Sequence, residues 1–194
     1  MKSVKIILLM GFFSSLFGCK TDNSKKNTVE VDGKEIQITE SQNSMGSNYG
    51  LTDLNEEQKK EFDEILKNSK EFISSYSTKK EDILNSENID YVLEKWKSDS
   101  SSNKKSKNEV VELLGCAFGQ DLINNLDCEW QILTDEYGTD FTVIHKKYKI
   151  NGFPFSSVLK AIEEDRKESL NGIKLILTKN ISDAENGADY DIRK

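Results

Sequence analysis

The chain has 194 residues, with 27 Lys plus Arg against 34 Asp plus Glu, a net charge of −7; setting Lys2 and Lys5 aside with an apolar leader leaves 25 against 34, or −9. So acidic a surface argues against nucleic acid as a partner, because cationic side chains must displace counterions from phosphate, and Arg166 and Arg193 alone supply bidentate forks. One histidine and three cysteines exclude most multi-ligand zinc sites, and no metal or cofactor is expected.

Ile6 to Phe17 run apolar apart from Gly11, Ser14 and Ser15. That length suits the hydrophobic core of a secretory signal and falls short of the roughly eighteen residues needed to span a bilayer. The first alanine is Ala117, so the usual small-residue cleavage site is missing. Leu16-Phe17-Gly18-Cys19 instead resembles the lipobox of bacterial lipoproteins, with Phe17 departing from the small residue common there. The resemblance implies cleavage after residue 18, a thioether-linked diacylglycerol on Cys19 and anchoring to a bacterial membrane in the cell envelope. Two or three acyl chains hold a protein stably where one does not.

Residues 19–50 are polar and read as a flexible tether, too poor in apolar side chains to offset the entropy of ordering. Within it, the alternating run from Val29 to Ile38 around Asp32-Gly33 has the pattern of a small hairpin. A single domain is expected over 51–179. Leu51–Tyr76 reads as a helix capped by Asp53 or Asn55, with Phe62, Ile65, Leu66, Ile73 and Tyr76 on its apolar stripe. A second helix spans about Asn88–Lys97, and the basic run 98–107 is a solvated loop. A third helix over Asn108–Asn125 carries Gly115 and Gly119 one turn apart. Since glycine costs about 1 kcal/mol against alanine in a helix interior, the pair points to another backbone coming very close, as in close helix-on-sheet packing.

The periodicity then changes to that of strands. Pairing Thr134 with Thr139 across the 135–138 turn sets Ile132 opposite Phe141, Trp130 opposite Val143 and Cys128 opposite His145, all on one face. Lys146–Phe153 continues or returns as another strand, with a bulge near Lys146 or Lys147 and Asn151-Gly152 as a turn. Ser156 or Ser157 caps a fourth helix that Gly172 ends, Ile173–Thr178 is a last strand, and 180–194 is a frayed tail. The expected class is α+β: a helical N-terminal half, then a small antiparallel sheet packed by helices, in the order α-α-α-β-β-β-α-β.

The run Leu114-Gly115-x-x-Phe118-Gly119-x-x-Leu122, then Trp130, then Thr134-Asp135-Glu136-Tyr137-Gly138-Thr139-Asp140, then Phe153-Pro154-Phe155-x-x-Val158-x-Lys160 resembles bacterial domain-of-unknown-function family 3806. The likeness covers about residues 55–178, with its better marks after 109. Those marks are structural, and the family has no assigned activity, so the resemblance implies a fold and no chemistry.

Two pieces of cysteine chemistry stand open. Cys116 and Cys128 either join as a disulfide in an oxidising envelope, worth roughly 2–3 kcal/mol for so short a loop, or pack as two buried thiols. Cys128 and His145, set side by side by the hairpin register, form a candidate nucleophile and base, although the same register buries both among Trp130, Phe141 and Val143. Asp135, Glu136 and Asp140 lack the alternate spacing of calcium ligands, and no hydrolase elbow or Cys-x-x-Cys is present. The expected function is a membrane-anchored, non-catalytic module that binds an envelope protein, immunity-like proteins being one form. The alternative is an envelope hydrolase or transferase using Cys128 and His145 or an acidic site.

Overall fold

In the computed structural model the described residues are 25–31, 34–40, 49–79, 81–136, 138–165 and 169–193. The leader, Cys19, the rest of the tether and the Asp32-Gly33 turn lie outside them. Three strands come first, β1 (Lys25–Val31), β2 (Lys34–Glu40) and β3 (Gly50–Asp53), then helices α1 (Glu56–Tyr76), α2 (Ser86–Ser98) and α3 (Lys107–Leu126). Strands β4 (Cys128–Asp135), β5 (Gly138–His145) and β6 (Asn151–Gly152) follow, and helices α4 (Pro154–Glu163) and α5 (Ser169–Glu185) close the order. The class is α+β, with one two-stranded sheet and one four-stranded antiparallel sheet of order β3-β4-β5-β6.

The chain divides into two compact units: the described part of Met1–Thr52 with Ile132–Asp140, and Asp53–Gln131 with Phe141–Lys194. In the first, β1 and β2 pair antiparallel with Val29 opposite Ile36 and Val31 opposite Lys34, the register the Asp-Gly turn implied. In the Ile132–Asp140 part of this unit the hydroxyls of Thr134 and Thr139 lie 3.0 Å apart across the β4–β5 hairpin.

In the second unit α3 is central, and its side chains are buried almost all round, from Val110 to Leu122. Capping boxes start two of the helices. Asn55 and Gln58 exchange side-chain-to-backbone bonds at 2.9 Å ahead of α1, and Ser106 does the same with Glu109 ahead of α3. The close backbone approach expected at the paired glycines occurs at Gly115, where Phe155 comes near, and at Gly119 a ring comes close instead. A Cβ on Gly115 would meet Phe155 Cδ1 at 2.5 Å, and one on Gly119 would overlap the six-membered ring of Trp130. One glycine therefore seats a residue of α4 and the other a residue of β4. Lys146 N–H donates to the Asp127 carbonyl at 3.1 Å, which continues the hairpin register expected from Thr134 and Thr139.

Several elements depart from the sequence reading. Residues 50–53 form β3, where the first helix was expected to have begun. Ser156 and Ser157 do not start α4: Pro154 does, because its fixed φ suits the first helical position and its missing N–H is no loss there. Asn151-Gly152 is strand β6, and the turn falls at 146–149, closed by His145 N–H on the Ile150 carbonyl at 2.9 Å. The expected last strand, Ile173–Thr178, lies inside α5, which runs through Gly172 to Glu185. Asp90 of α2 supplies the reason: its two carboxylate oxygens accept from Leu170 N–H (3.2 Å) and Asn171 N–H (2.9 Å), capping α5 from another helix. The tail expected to fray pairs instead, through Ile192 with Tyr148 and through Arg193 N–H on the Lys147 carbonyl.

Gly119→Ala should destabilise the protein by about 1–3 kcal/mol through overpacking against Trp130. Gly50→Ala, with nothing near its would-be Cβ, should change stability by less than about 0.5 kcal/mol. Urea unfolding of both variants checks this.

Candidate functional site

A cleft of about 410 Å³ opens in the second unit. The chain leaving β3 and entering α1 supplies Asp53, Leu54, Lys59, Phe62, Asp63 and Leu66; α3 adds Cys116 and Gln120, and β4 adds Glu129 and Trp130. Its floor is aromatic because Phe62 meets Trp130 edge to face at 4.9 Å and Phe141 at 5.1 Å, with Phe155 behind them. These contacts exist only because Gly115 and Gly119 let the rings lie against α3.

The rim is acidic. Asp53, Asp63 and Glu129 face a single lysine, Lys59, whose ammonium is bound to Glu56 at 2.8 Å. Gln131, 6% exposed, ties two of these carboxylates together: its Nε2 donates to Asp53 Oδ1 at 2.9 Å and to Glu129 Oε1 at 3.2 Å. The carbonyl oxygen of Gln131 is left buried without a partner, an arrangement that ordinarily costs about 1–3 kcal/mol. Its amide hydrogens meet two charged acceptors, which make stronger hydrogen bonds than neutral ones. Arg193 reaches Glu129 from the tail, Nη1 to Oε1 at 2.8 Å.

Cys116 sits at the cleft, 2% exposed, with its thiol directed at the Phe62 carbonyl at 3.7 Å. Burial, reinforced by the carboxylates of Glu112 and Asp63, pushes this thiol up to about 12. Cys128 donates to the Leu126 carbonyl at 3.3 Å, and burial pushes it likewise up to about 12. Both are buried free thiols in this structure. Thiols so raised are protonated at neutral pH, the opposite of what a nucleophilic cysteine requires.

His145 lies opposite Cys128 in the hairpin but turns to other partners. Its Nδ1 accepts the backbone N–H groups of Lys147 (3.2 Å) and Tyr148 (3.1 Å), and its ring stacks on Tyr148. Burial is the largest cause lowering its pKa, with Asp127 and Glu185 opposing. The histidine thus clasps the 146–149 turn as a neutral ring, and its Nδ1 lone pair is engaged there.

The sequence reading named Asp53 only as a helix cap and gave Asp63 and Glu129 no functional role. One signal was present: Glu129 and Gln131, polar residues two apart in a strand whose other face is apolar. The position of Asp53 beside them comes from β3, a segment whose pattern reads as helix.

Fold and site together define an α+β domain with an aromatic-floored, acid-rimmed cleft. Residues 90–173 match the family described as "Domain of unknown function (DUF3806)", so the chain carries a domain resembling that family. The match is narrower than the 55–178 expected; it takes in Gly115, Gly119, Trp130 and Pro154 and leaves Asp53 and Asp63 outside. Among curated proteins and solved structures, none matches the chain. No helix among the described residues is long and apolar enough to cross a membrane.

Alkylation of the native chain should spare Cys116 and Cys128, and unfolding without reductant should expose both to iodoacetamide; intact mass reads the count. The histidine makes a separate prediction. In the unfolded chain His145 charges near its ordinary value of 6.5, while the folded ring resists protonation. Stability should therefore be full above that value and be lost progressively as pH falls below it. His145→Asn, which keeps an acceptor for the turn amides, should flatten that part of the stability profile in thermal unfolding at a series of pH values.

Proposed function

We propose that the protein is a cell-envelope lipoprotein, anchored through lipidated Cys19, whose folded part is a non-catalytic module that binds another envelope protein. The observation that carries the binding reading is the cleft: apolar aromatic surface at its floor, a rim of carboxylates, and a thiol held in its protonated form. Small clefts of this make-up, apolar with a few placed polar groups, are where proteins hold ligands or partner side chains. The anchoring reading is supported by Lys2 and Lys5, the apolar run from Ile6 to Phe17 and the Leu16-Phe17-Gly18-Cys19 motif. An acidic surface speeds encounter with basic partners, which suits a protein waiting at a membrane. An immunity-type role against an incoming basic toxin is one form of this function.

Cys19→Ser should release the protein from the membrane fraction to the soluble envelope fraction. Crosslinking in intact cells, followed by pull-down of the tagged wild-type chain, should recover one stoichiometric envelope protein. Unchanged fractionation would overturn the anchor, and recovery of no partner across growth conditions would overturn the binding module.

A further inference from the structure

The cleft's charge is out of balance in a way that specifies what would fill it. Three carboxylates, those of Asp53, Asp63 and Glu129, stand around the floor made by Phe62 and Trp130, and the lysine among them is already paired with Glu56. Gln131 holds two of the three carboxylates in place from beneath, at the expense of its own buried carbonyl. Acceptors fixed in this manner are organised before any ligand arrives. One of them already engages a guanidinium, since Arg193 of the chain's own tail bonds Glu129.

We propose that this cleft receives a single arginine or lysine side chain of the protein partner, its aliphatic stem against Phe62 and Trp130 and its charged head among Asp53, Asp63 and Glu129. Long cationic side chains suit such a site because they lay an apolar stem on apolar surface while the head stays polar. The indole of Trp130 adds attraction for a cation over its face. A volume of about 410 Å³ is that of a small-ligand cleft, which spans about 300–1,000 Å³. The inference rests on the protein-binding reading and names the chemistry of the partner's contact residue.

The test uses the full chain carrying Cys19→Ser, titrated with acetylated tetra-arginine amide while the indole N–H resonance of Trp130 is followed. The shift should saturate, and the dissociation constant should rise at least about fivefold in the double variant Asp63→Asn/Glu129→Gln, each lost charge contributing a few-fold at a partly exposed site. Glu71→Gln removes one charge from an exposed position two turns further along α1 and should leave the constant unchanged. Acetylated tetraglutamine amide should give no saturable shift. Thermal unfolding of Asp63→Asn alone, a change at an exposed position, keeps loss of fold separate from loss of binding. Equal affinity in the double variant, absence of a saturable Trp130 shift, or spermine binding as tightly as the peptide would each overturn the proposal, the last in favour of a free polyamine. Crosslinking in cells separates the two readings. A partner recovered equally by wild type and by the double variant overturns the cleft's role while protein binding stands. A partner recovered by neither overturns protein binding itself.

Discussion

Two glycines one turn apart on a buried helix set the geometry on which the cleft-bearing unit depends. Without side chains at Gly115 and Gly119, the backbone of α3 comes within contact of Phe155 on one turn and Trp130 on the next. Phe62 of α1 then closes edge-on against both rings, and Phe141 of β5 completes the group. Aromatic contacts of this kind are worth about 0.5–1.5 kcal/mol each beyond the area they bury. Their larger effect is positional, because interiors packed at crystal-like density do not absorb an added methyl group by small shifts. A side chain at either glycine would push the rings off α3 and take the floor of the cleft with them.

Polar links fix the remaining helices around that group. Asp90 caps α5 from α2, and Asp121, 2% exposed, accepts from Ser86 N–H at 3.0 Å and from Lys174 Nζ at 2.9 Å. Burial raises the Asp121 carboxyl above its ordinary range, while Lys174 and the Ser86 amide pull it down. Carboxylates are seldom fully buried unless paired, and both of these are spent on backbone N–H groups at helix starts, where negative charge is favoured by the helix dipole. They give the helices one mutual arrangement that apolar contact alone would leave less defined.

The cleft combines the two kinds of constraint. Its floor is a product of the glycine packing, and its rim is a product of a buried glutamine that orients carboxylates from two strands. Burial raises both cysteine thiols, and the Nδ1 of His145 accepts from the backbone of the 146–149 turn. A domain so built presents a negatively charged recess over an aromatic floor.

Local periodicity and capping carried much of this in the sequence. The stripe of Phe62, Ile65 and Ile73, the Asn55 cap and the β4–β5 register were all legible, because each depends on residues close in the chain. So was the close packing at Gly115 and Gly119, since two glycines inside one helix weaken it unless a neighbour packs into the space they leave. The run Ile173–Thr178 was not, because a short β-branched apolar segment fits helix and strand alike. Asp90, some eighty residues earlier, decides it by satisfying the first amides of α5. The rim of the cleft was hidden for the same reason: Asp53, Asp63 and Glu129 are ordinary surface acids in the sequence and become a site only where the end of β3, α1 and β4 meet. The sequence by itself determined the local elements that depend on near neighbours in the chain and the acidic character of the whole. Tertiary structure alone decided the last helix and the recess, because both are made by hydrogen bonds and ring contacts between residues far apart in the chain.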